Sequence, residues 1–427
     1  MMDATHDPAL RSWVAASEGT EFPIQNLPLG TFSRPGDMPR AGVAIGDQVL
    51  DLRAAGELGL LPEDLAGLVA GPVLNPLMAR GRAASARLRA AVSALLAAGG
   101  RGQAEATRLL VPIAEARMHL PAAVGNFTDF MVSRDHSARL GARKNPAAPL
   151  PPAFAHLPVA YHSRASSLSI SGAPVVRPNG QRGEADGTVS FGPERRLDFE
   201  LELAIWIAGE NALGRPVPMR EAGDRLFGYG LLNDWSAREI QFLEMVPLGP
   251  FLGKSMATTV SPWVVTAEAL APFAAEPAAR PGEDGPVPAH LRGAGRHGLA
   301  IAMEVWLETA AMRRAGDGPA RITATDFAGM YWTPAQIVAH HASNGCNLLP
   351  GDLLGSGTCS GPEPGARACL AEIMLEGPLT LPNGERRGFL EDGDAVIFRA
   401  RAEAPGAVAI GFGECRAEVV PAPEWPQ

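Results

Sequence analysis

The chain is read as an α+β fold, mainly β, in two domains, and three features of the sequence carry that reading. Residues 195–207, Arg-Arg-Leu-Asp-Phe-Glu-Leu-Glu-Leu-Ala-Ile-Trp-Ile, alternate apolar and acidic residues with the period of a strand. Glycine (48) and proline (39) are abundant, and Gly-Asp turns punctuate the chain from Pro350 to Cys415, as many short strands require. The one extended helical pattern, Glu63–Gly99, is confined to the first quarter, so helix and sheet are segregated.

At 427 residues the chain has ample material for a large core and suggests two domains. Hydrophobic residues make up 46% and charged residues 19%, which places it among globular proteins and excludes disorder. A formal net charge of -9 argues against nucleic acid or an anionic membrane as partner. The opening Met-Met-Asp-Ala-Thr-His-Asp-Pro is no secretory signal, and no later apolar run could span a bilayer, so a cytoplasmic protein is expected. The four cysteines, Cys346, Cys359, Cys369 and Cys415, form no close pair and are expected as buried thiols.

In chain order, Gly42-Val-Ala-Ile-Gly46-Asp47-Gln-Val-Leu-Asp-Leu52 reads as a hairpin in a small barrel or sheet. The Ala-, Leu- and Arg-rich tract after it reads as helices, with Arg82, Arg87 and Arg89 on a solvated face. A domain boundary is placed near His119-Leu120-Pro121, dividing the chain into residues 1–118 and 119–427. Beyond it, a helix beginning near Asp129 would bring Asp129 and His136 to one face two turns apart. For His136 alone, a surface or satisfied core histidine is the plainer reading. Residues 141–158 form a proline-rich loop into the polar run Tyr161-His-Ser-Arg-Ala-Ser-Ser167, which suits a pocket wall or a turn.

In the alternating stretch, Leu197, Phe199, Leu201, Leu203 and Ile205 share one face. The other carries Asp198, Glu200 and Glu202 and then turns apolar at Ala204 and Trp206. Ionised Glu200 and Glu202 would repel each other away from water, so a hard divalent cation is one reading and a solvated acidic edge strand the other. Further on, Asp234 or Ser236 could cap a helix whose first turns set Arg238 beside Gln241. Gly253-Lys254-Ser255 ends like a phosphate loop, but position 248 is Leu where that motif needs glycine, and nucleotide binding is rejected. Residues 267–297 read as an exposed excursion and Leu299–Leu307 as a strand. His340-His341 on a helix starting after Thr333 diverge by about 100° and are taken as structural.

Several segments together resemble the fumarylacetoacetate hydrolase family: Phe127-Thr-Asp-Phe130, Leu157-Pro-Val-Ala-Tyr161-His-Ser-Arg-Ala-Ser-Ser167, Leu197-Asp-Phe-Glu-Leu-Glu202, Asn233-Asp-Trp-Ser-Ala-Arg238, Val246-Pro-Leu-Gly-Pro-Phe-Leu-Gly-Lys-Ser255 and Gly351-Asp-Leu-Leu-Gly-Ser-Gly-Thr358. Phe22–Pro28 and Gly42–Leu52 extend the resemblance into the N-terminal region. It implies a small SH3-like barrel followed by a large β-rich catalytic domain that forms a homodimer. It further implies hydrolysis of a carbon–carbon bond in a β-diketone, foremost 4-fumarylacetoacetate to fumarate and acetoacetate at the end of tyrosine and phenylalanine catabolism.

Carried over by position, the resemblance makes Asp129, Glu200, Glu202 and Asp234 ligands of a divalent cation, Mg2+ or Ca2+, with Lys254 and Thr258 at a second, mainly structural magnesium site. It makes His136 the general base, Glu372 its partner, and Arg238, Gln241 and Lys254 the groups around a developing oxyanion. Arg143, Tyr161, Gln241 and Thr358 become substrate contacts. Met131 and Met245 stand where the family has tyrosines lining the pocket, so two hydroxyl donors are replaced by thioethers. An acylpyruvate or another β-diketone is therefore the alternative substrate. A decarboxylase or isomerase of the same superfamily is the alternative reaction, which has less need of the His136–Glu372 pair. A metal-binding protein without catalysis would need none of these groups.

Overall fold

The computed structural model describes residues 2–143 and 145–426. The first sheet is antiparallel, in the order Leu110–Pro112, Gln48–Asp51, Arg40–Ile45, Leu29–Ser33, Arg117–His119. The expected hairpin is present: Ile45 lies opposite Gln48, and Gly46 turns the chain at φ 60°, where an added Cβ would meet the Ala16 carbonyl at 2.4 Å. Three helices lie in the predicted tract, Glu63–Val69, Asn75–Ala79 and Gly81–Leu96.

Arg89 departs from the expected solvated face. It is buried, donating to Thr5 Oγ1 at 2.9 Å and to the carbonyls of Gln25 and Asn26. The N-terminal segment folds back over the helix and supplies acceptors that helical spacing cannot reveal. Arg87 keeps the solvated role, paired with exposed Asp64.

The central sheet runs Val159–His162, Phe127–Met131, Leu353–Gly355, Leu201–Ile207, Leu226–Asp234, Thr258–Val260, Leu168–Ile170. Val265–Thr266 adds to Leu226–Asp234, and two of the pairings are parallel. A second sheet, Ala320–Asp326, Ala302–Glu308, Ala395–Ala402, Ile410–Val420 and Val175–Val176, packs against it. The fold is thus mixed and mainly β.

Leu201, Leu203, Ile205 and Ile207 face the second sheet and join Val305, Phe398 and Phe412 in one core. Ala204 and Trp206, on the opposite face, join Leu88, Val92, Leu95, Phe227 and Leu232 in another. The acidic stretch is therefore a central strand with both faces covered, and the edge-strand reading falls. It is also not continuous: Leu197–Asp198 pairs with Ser236–Ala237, whereas Leu201–Ile207 pairs with Leu226–Asp234 and Leu353–Gly355. Between these pairings the Glu200 amide donates to Asn233 Oδ1 at 3.0 Å.

The four thiols are free, and three of them are buried. Among the described residues no helix is long and apolar enough to cross a membrane.

Candidate active site

Four carboxylates converge, three from strands of the central sheet and Glu200 from the break just before Leu201–Ile207. Asp129 lies on Phe127–Met131, opposite Tyr161 on one side and Gly355 on the other. Glu200 and Glu202 come from the central stretch, and Asp234 ends Leu226–Asp234 opposite Thr258. All four are buried, and one oxygen from each lies within 4.8 Å of the others.

Asp129 is thus on a strand and not, as its spacing to His136 suggests, on His136's helix. Asp234 is likewise no cap: the helix Arg238–Glu244 begins after Ala237 without a side-chain cap, and Ser236 donates to the Asp234 carbonyl. Both acids are held by cross-strand pairing between residues distant in sequence.

Two cations neutralise part of this charge. Lys254 Nζ lies 2.5 Å from Glu200 Oε2 and 3.0 Å from Asp234 Oδ2, and Arg238 Nη2 lies 2.8 Å from Glu200 Oε1. The Tyr161 hydroxyl donates to Asp234 Oδ2 at 2.5 Å, and Thr258 Oγ1 to Asp234 Oδ1 at 3.2 Å. Asp129 Oδ1 and Glu202 Oε1 are buried and have no donor among the described residues, while Glu202 Oε2 accepts only the Gly357 amide at 3.0 Å. A Cβ on Gly355 would lie 2.3 Å from Asp129 Oδ1 and 2.8 Å from Glu202 Oε2, so glycine there leaves the carboxylates their space.

The electrostatics agree with the geometry. Burial, reinforced by Asp234, pushes Asp129 up to about 8. Burial and the charges of Asp129 and Asp234 hold Glu202 well above the usual carboxylate range. Burial works upward on Glu200 too, but Lys254 and Arg238 outweigh it and draw that carboxyl down. Orphaned, crowded oxygens of hard donor type are a ligand set that fits a hard divalent cation.

Beside this cluster lies an acid–base pair. His136 is on the helix Arg134–Ala142, whose N-cap Ser133 accepts the His136 amide, and its Nδ1 is 2.8 Å from Glu372 Oε2. Glu372 also accepts from Ser360 Oγ at 2.5 Å and from Arg139 Nη1 at 3.1 Å. Burial alone would raise Glu372, yet His136, Ser360 and Arg139 together hold it down to about 2. An ionised Glu372 can only accept, so the proton of this contact lies on Nδ1 and Nε2 carries the free lone pair.

Gln241 Oε1 accepts from Arg238 Nη1 at 3.0 Å, which leaves the amide nitrogen to donate. Lys254 is delivered by a short turn whose amides at Phe251, Leu252 and Gly253 donate to the Glu244 carboxylate at 2.7, 3.0 and 2.8 Å. Thr358 is buried, and its hydroxyl has no hydrogen-bond partner among the described residues. Met131 accepts from Ser137 Oγ at 3.0 Å, and Met245 closes the helix that carries Arg238 and Gln241. Arg143 is exposed, its guanidinium 5.9 Å from the centre of the Phe242 ring, and so lies beside that same helix.

The structure thus brings the four acids together with Lys254, Arg238, Tyr161 and Thr258, and His136 together with Glu372. Sequence reading passed over Arg139, Ser360 and Glu244, which hold Glu372 and the Lys254 turn. Asp198 was placed on the acidic face but given no part. Of these, only Asp198 left a signal, its register with Glu200 and Glu202.

His340 and His341 end the helix Pro334–His341, and His341 Nε2 contacts Thr128 Oγ1 at 2.9 Å, in keeping with a structural role.

Two family models cover nearly the whole chain: the fumarylacetoacetase N-terminal model over residues 25–121 and the fumarylacetoacetate (FAA) hydrolase C-terminal model over residues 126–420. The chain belongs to the fumarylacetoacetase family. It is 46% identical over 425 residues to the fumarylacetoacetase of Caenorhabditis elegans, covering 97% of this chain and 100% of that one. It is 43% identical over 423 residues to the fumarylacetoacetase of Homo sapiens, covering 96% and 99%. Among solved structures, maleylpyruvate hydrolase from Sphingobium sp. SYK-6 shares the fold, with a TM-score of 0.51 at 20% identity, covering 93% of this chain and 100% of that one.

Proposed function

We propose that this chain hydrolyses 4-fumarylacetoacetate to fumarate and acetoacetate with the help of a divalent cation, Mg2+ or Ca2+, as the last step of tyrosine catabolism. The observation that carries this reading is the His136–Glu372 pair beside four buried carboxylates, in a chain more than 40% identical, end to end, to curated fumarylacetoacetases.

Asp129, Glu200, Glu202 and Asp234 would hold the cation, with Thr258 and Lys254 bracing Asp234 and Glu200. When bound, it supplies Lewis-acid charge to the oxygens of a 1,3-dicarbonyl. His136 Nε2 takes a proton from water, whose oxygen adds to the acyl carbon. Glu372 keeps Nδ1 protonated and stabilises the imidazolium. Two of the three Lys254 N–H bonds are engaged by Glu200 and Asp234; the third, with the Gln241 amide, can donate to the tetrahedral oxyanion. When the carbon–carbon bond breaks, the electron pair stays with the acetoacetate carbon and the imidazolium returns the proton there. The placing of Arg143, Tyr161, Thr358, Met131 and Met245 around this region supports their reading as substrate contacts.

The five-stranded N-terminal sheet is read as an SH3-like barrel and residues 119–427 as the catalytic domain. Its two edge strands, Leu110–Pro112 and Arg117–His119, are joined by only four residues in a 3-10 turn. A flat sheet would hold its edges about 19 Å apart, beyond the reach of that link, so the sheet must curl. A homodimer in the cytoplasm completes the proposal.

The test is the loss of enol absorbance of fumarylacetoacetate on mixing with purified protein, with and without chelator. Chelator-sensitive loss yielding fumarate and acetoacetate is expected, and His136→Ala should lower the rate by about 10²–10⁴-fold with Mn2+ binding intact. No loss from folded, metal-supplemented protein would overturn the substrate assignment and point to Met131 and Met245 as marks of another β-diketone.

A further inference from the structure

We propose that Asp198 is the positioning residue that locks the metal-binding half of the site to the acid–base half. The inference rests on the functional reading above, and its basis is a single buried carboxylate joined to both halves.

Asp198 is fully buried at the end of Leu197–Asp198. Its Oδ2 lies 2.9 Å from Arg238 Nε and 2.8 Å from Arg238 Nη2. Arg238 in turn reaches Glu200 Oε1 at 2.8 Å and Gln241 Oε1 at 3.0 Å. The same carboxylate accepts the backbone amides of Leu370 and Ala371 at 2.7 and 3.0 Å. Those two residues open the turn Leu370–Ile373, and the next residue is Glu372, the partner of His136. A continuous run of polar contacts therefore leads from Glu200 through Arg238 and Asp198 to Glu372 and His136.

Each link has few alternatives. The turn Leu370–Ile373 is a single turn with no side-chain cap of its own from Cys369, so Asp198 supplies the acceptors its first amides need. Arg238 is buried with two carboxylates, and without Asp198 its guanidinium would keep Glu200 as its one carboxylate partner among the described residues, beside the neutral Gln241. It would then compete with a cation for that ligand.

Asp198→Asn in the full-length protein tests this. The amide keeps the shape and one oxygen but turns a donor toward Arg238. Mn2+ affinity, read from the electron paramagnetic resonance of free Mn2+, should weaken about tenfold or more, and kcat on fumarylacetoacetate should fall about 10–100-fold. In a Glu372→Gln background the same change should lower kcat far less, while its effect on Mn2+ affinity persists. A merely structural loss would not separate the two readouts in this way.

Folded Asp198→Asn with ordinary Mn2+ affinity and kcat overturns the proposal, as does a kcat loss that multiplies in full in the double variant. If Asp198→Asn does not fold, Asp198→Glu keeps the charge but shifts it by one methylene, and the same split between Mn2+ affinity and kcat is then required. Wild-type protein without turnover would sink the functional reading, yet unchanged Mn2+ affinity in Asp198→Asn would still overturn the role given to Asp198.

Discussion

Gly355 and the two carboxylates above it show how a backbone position sets the chemistry of the site. Asp129 Oδ1 and Glu202 Oε2 occupy the volume that a side chain at 355 would fill, so Gly355→Ala must push one of them aside. Metal affinity should fall by about tenfold or more, with little change in the far-ultraviolet circular dichroism; titration with Mn2+ measures it. The same crowding has a pH signature. Without a cation, Asp129 titrates at about 8 against an ordinary 3.8, because burial and Asp234 disfavour its charge. A folded-state pKa raised above the unfolded value adds stability that is complete below the unfolded value and is lost as pH rises through the folded one. A bound cation reverses the penalty by pairing the charged form. The rise in melting temperature on adding Mg2+ to chelator-treated protein should therefore grow between pH 6 and pH 9. An equal rise at both ends would mean that Asp129 does not carry a proton in the metal-free site.

At the level of elements, much was legible wherever the pattern was local. The hairpin at Gly46-Asp47, the helix after Thr333 with its Thr333–Gln336 capping box, and the proximity of Arg238 to Gln241 all follow from near neighbours. The ligand residues were named through the resemblance, but their placement was not readable from spacing. Asp129 is held by Leu353–Gly355 and Val159–His162, and a five-residue strand closed by partners so distant leaves no periodic trace. The break at Phe199–Glu200 was hidden for a related reason: the alternation continues across it while the pairing partner changes. Ser133 shows how such elements bear on chemistry. Its hydroxyl oxygen accepts the His136 amide, and its O–H donates to the Ser360 carbonyl at 2.7 Å, so it caps the helix that carries His136 and ties it to the segment that holds Glu372. Ser133→Ala should cost about 1 kcal/mol in thermal unfolding. It should also lower kcat more than it changes KM, because the base shifts while the metal ligands stay. Steady-state kinetics beside calorimetry would check both parts.

For the whole molecule, the boundary proposed after residue 118 falls within the strand Arg117–His119, and the packing crosses it as well. The core on the Trp206 face draws Leu65, Leu88, Val92 and Leu95 from the N-terminal region and Phe227, Leu232, Val264 and Leu353 from beyond the boundary. Trp263 packs on Phe22 at 5.7 Å between ring centroids, Leu29 exchanges backbone hydrogen bonds with Val264, and Glu268 accepts from Arg82 Nε and Ser85 Oγ at 2.8 Å each. Removing residues 1–118 would expose the Trp206 face of the central sheet, directly beneath the strands that carry Asp129, Glu202 and Asp234. An apolar face of that kind, uncovered and broad, drives association. The fragment 119–427 expressed alone should therefore be recovered as aggregate, and co-expression with 1–118 should restore soluble, metal-binding protein. The intact chain should unfold in one cooperative step, since the core on the Trp206 face is complete on neither side of the boundary. Two separated calorimetric transitions would show instead that the catalytic part stands on its own. The first region would then be an accessory to a self-sufficient enzyme and not the floor on which its metal site is built.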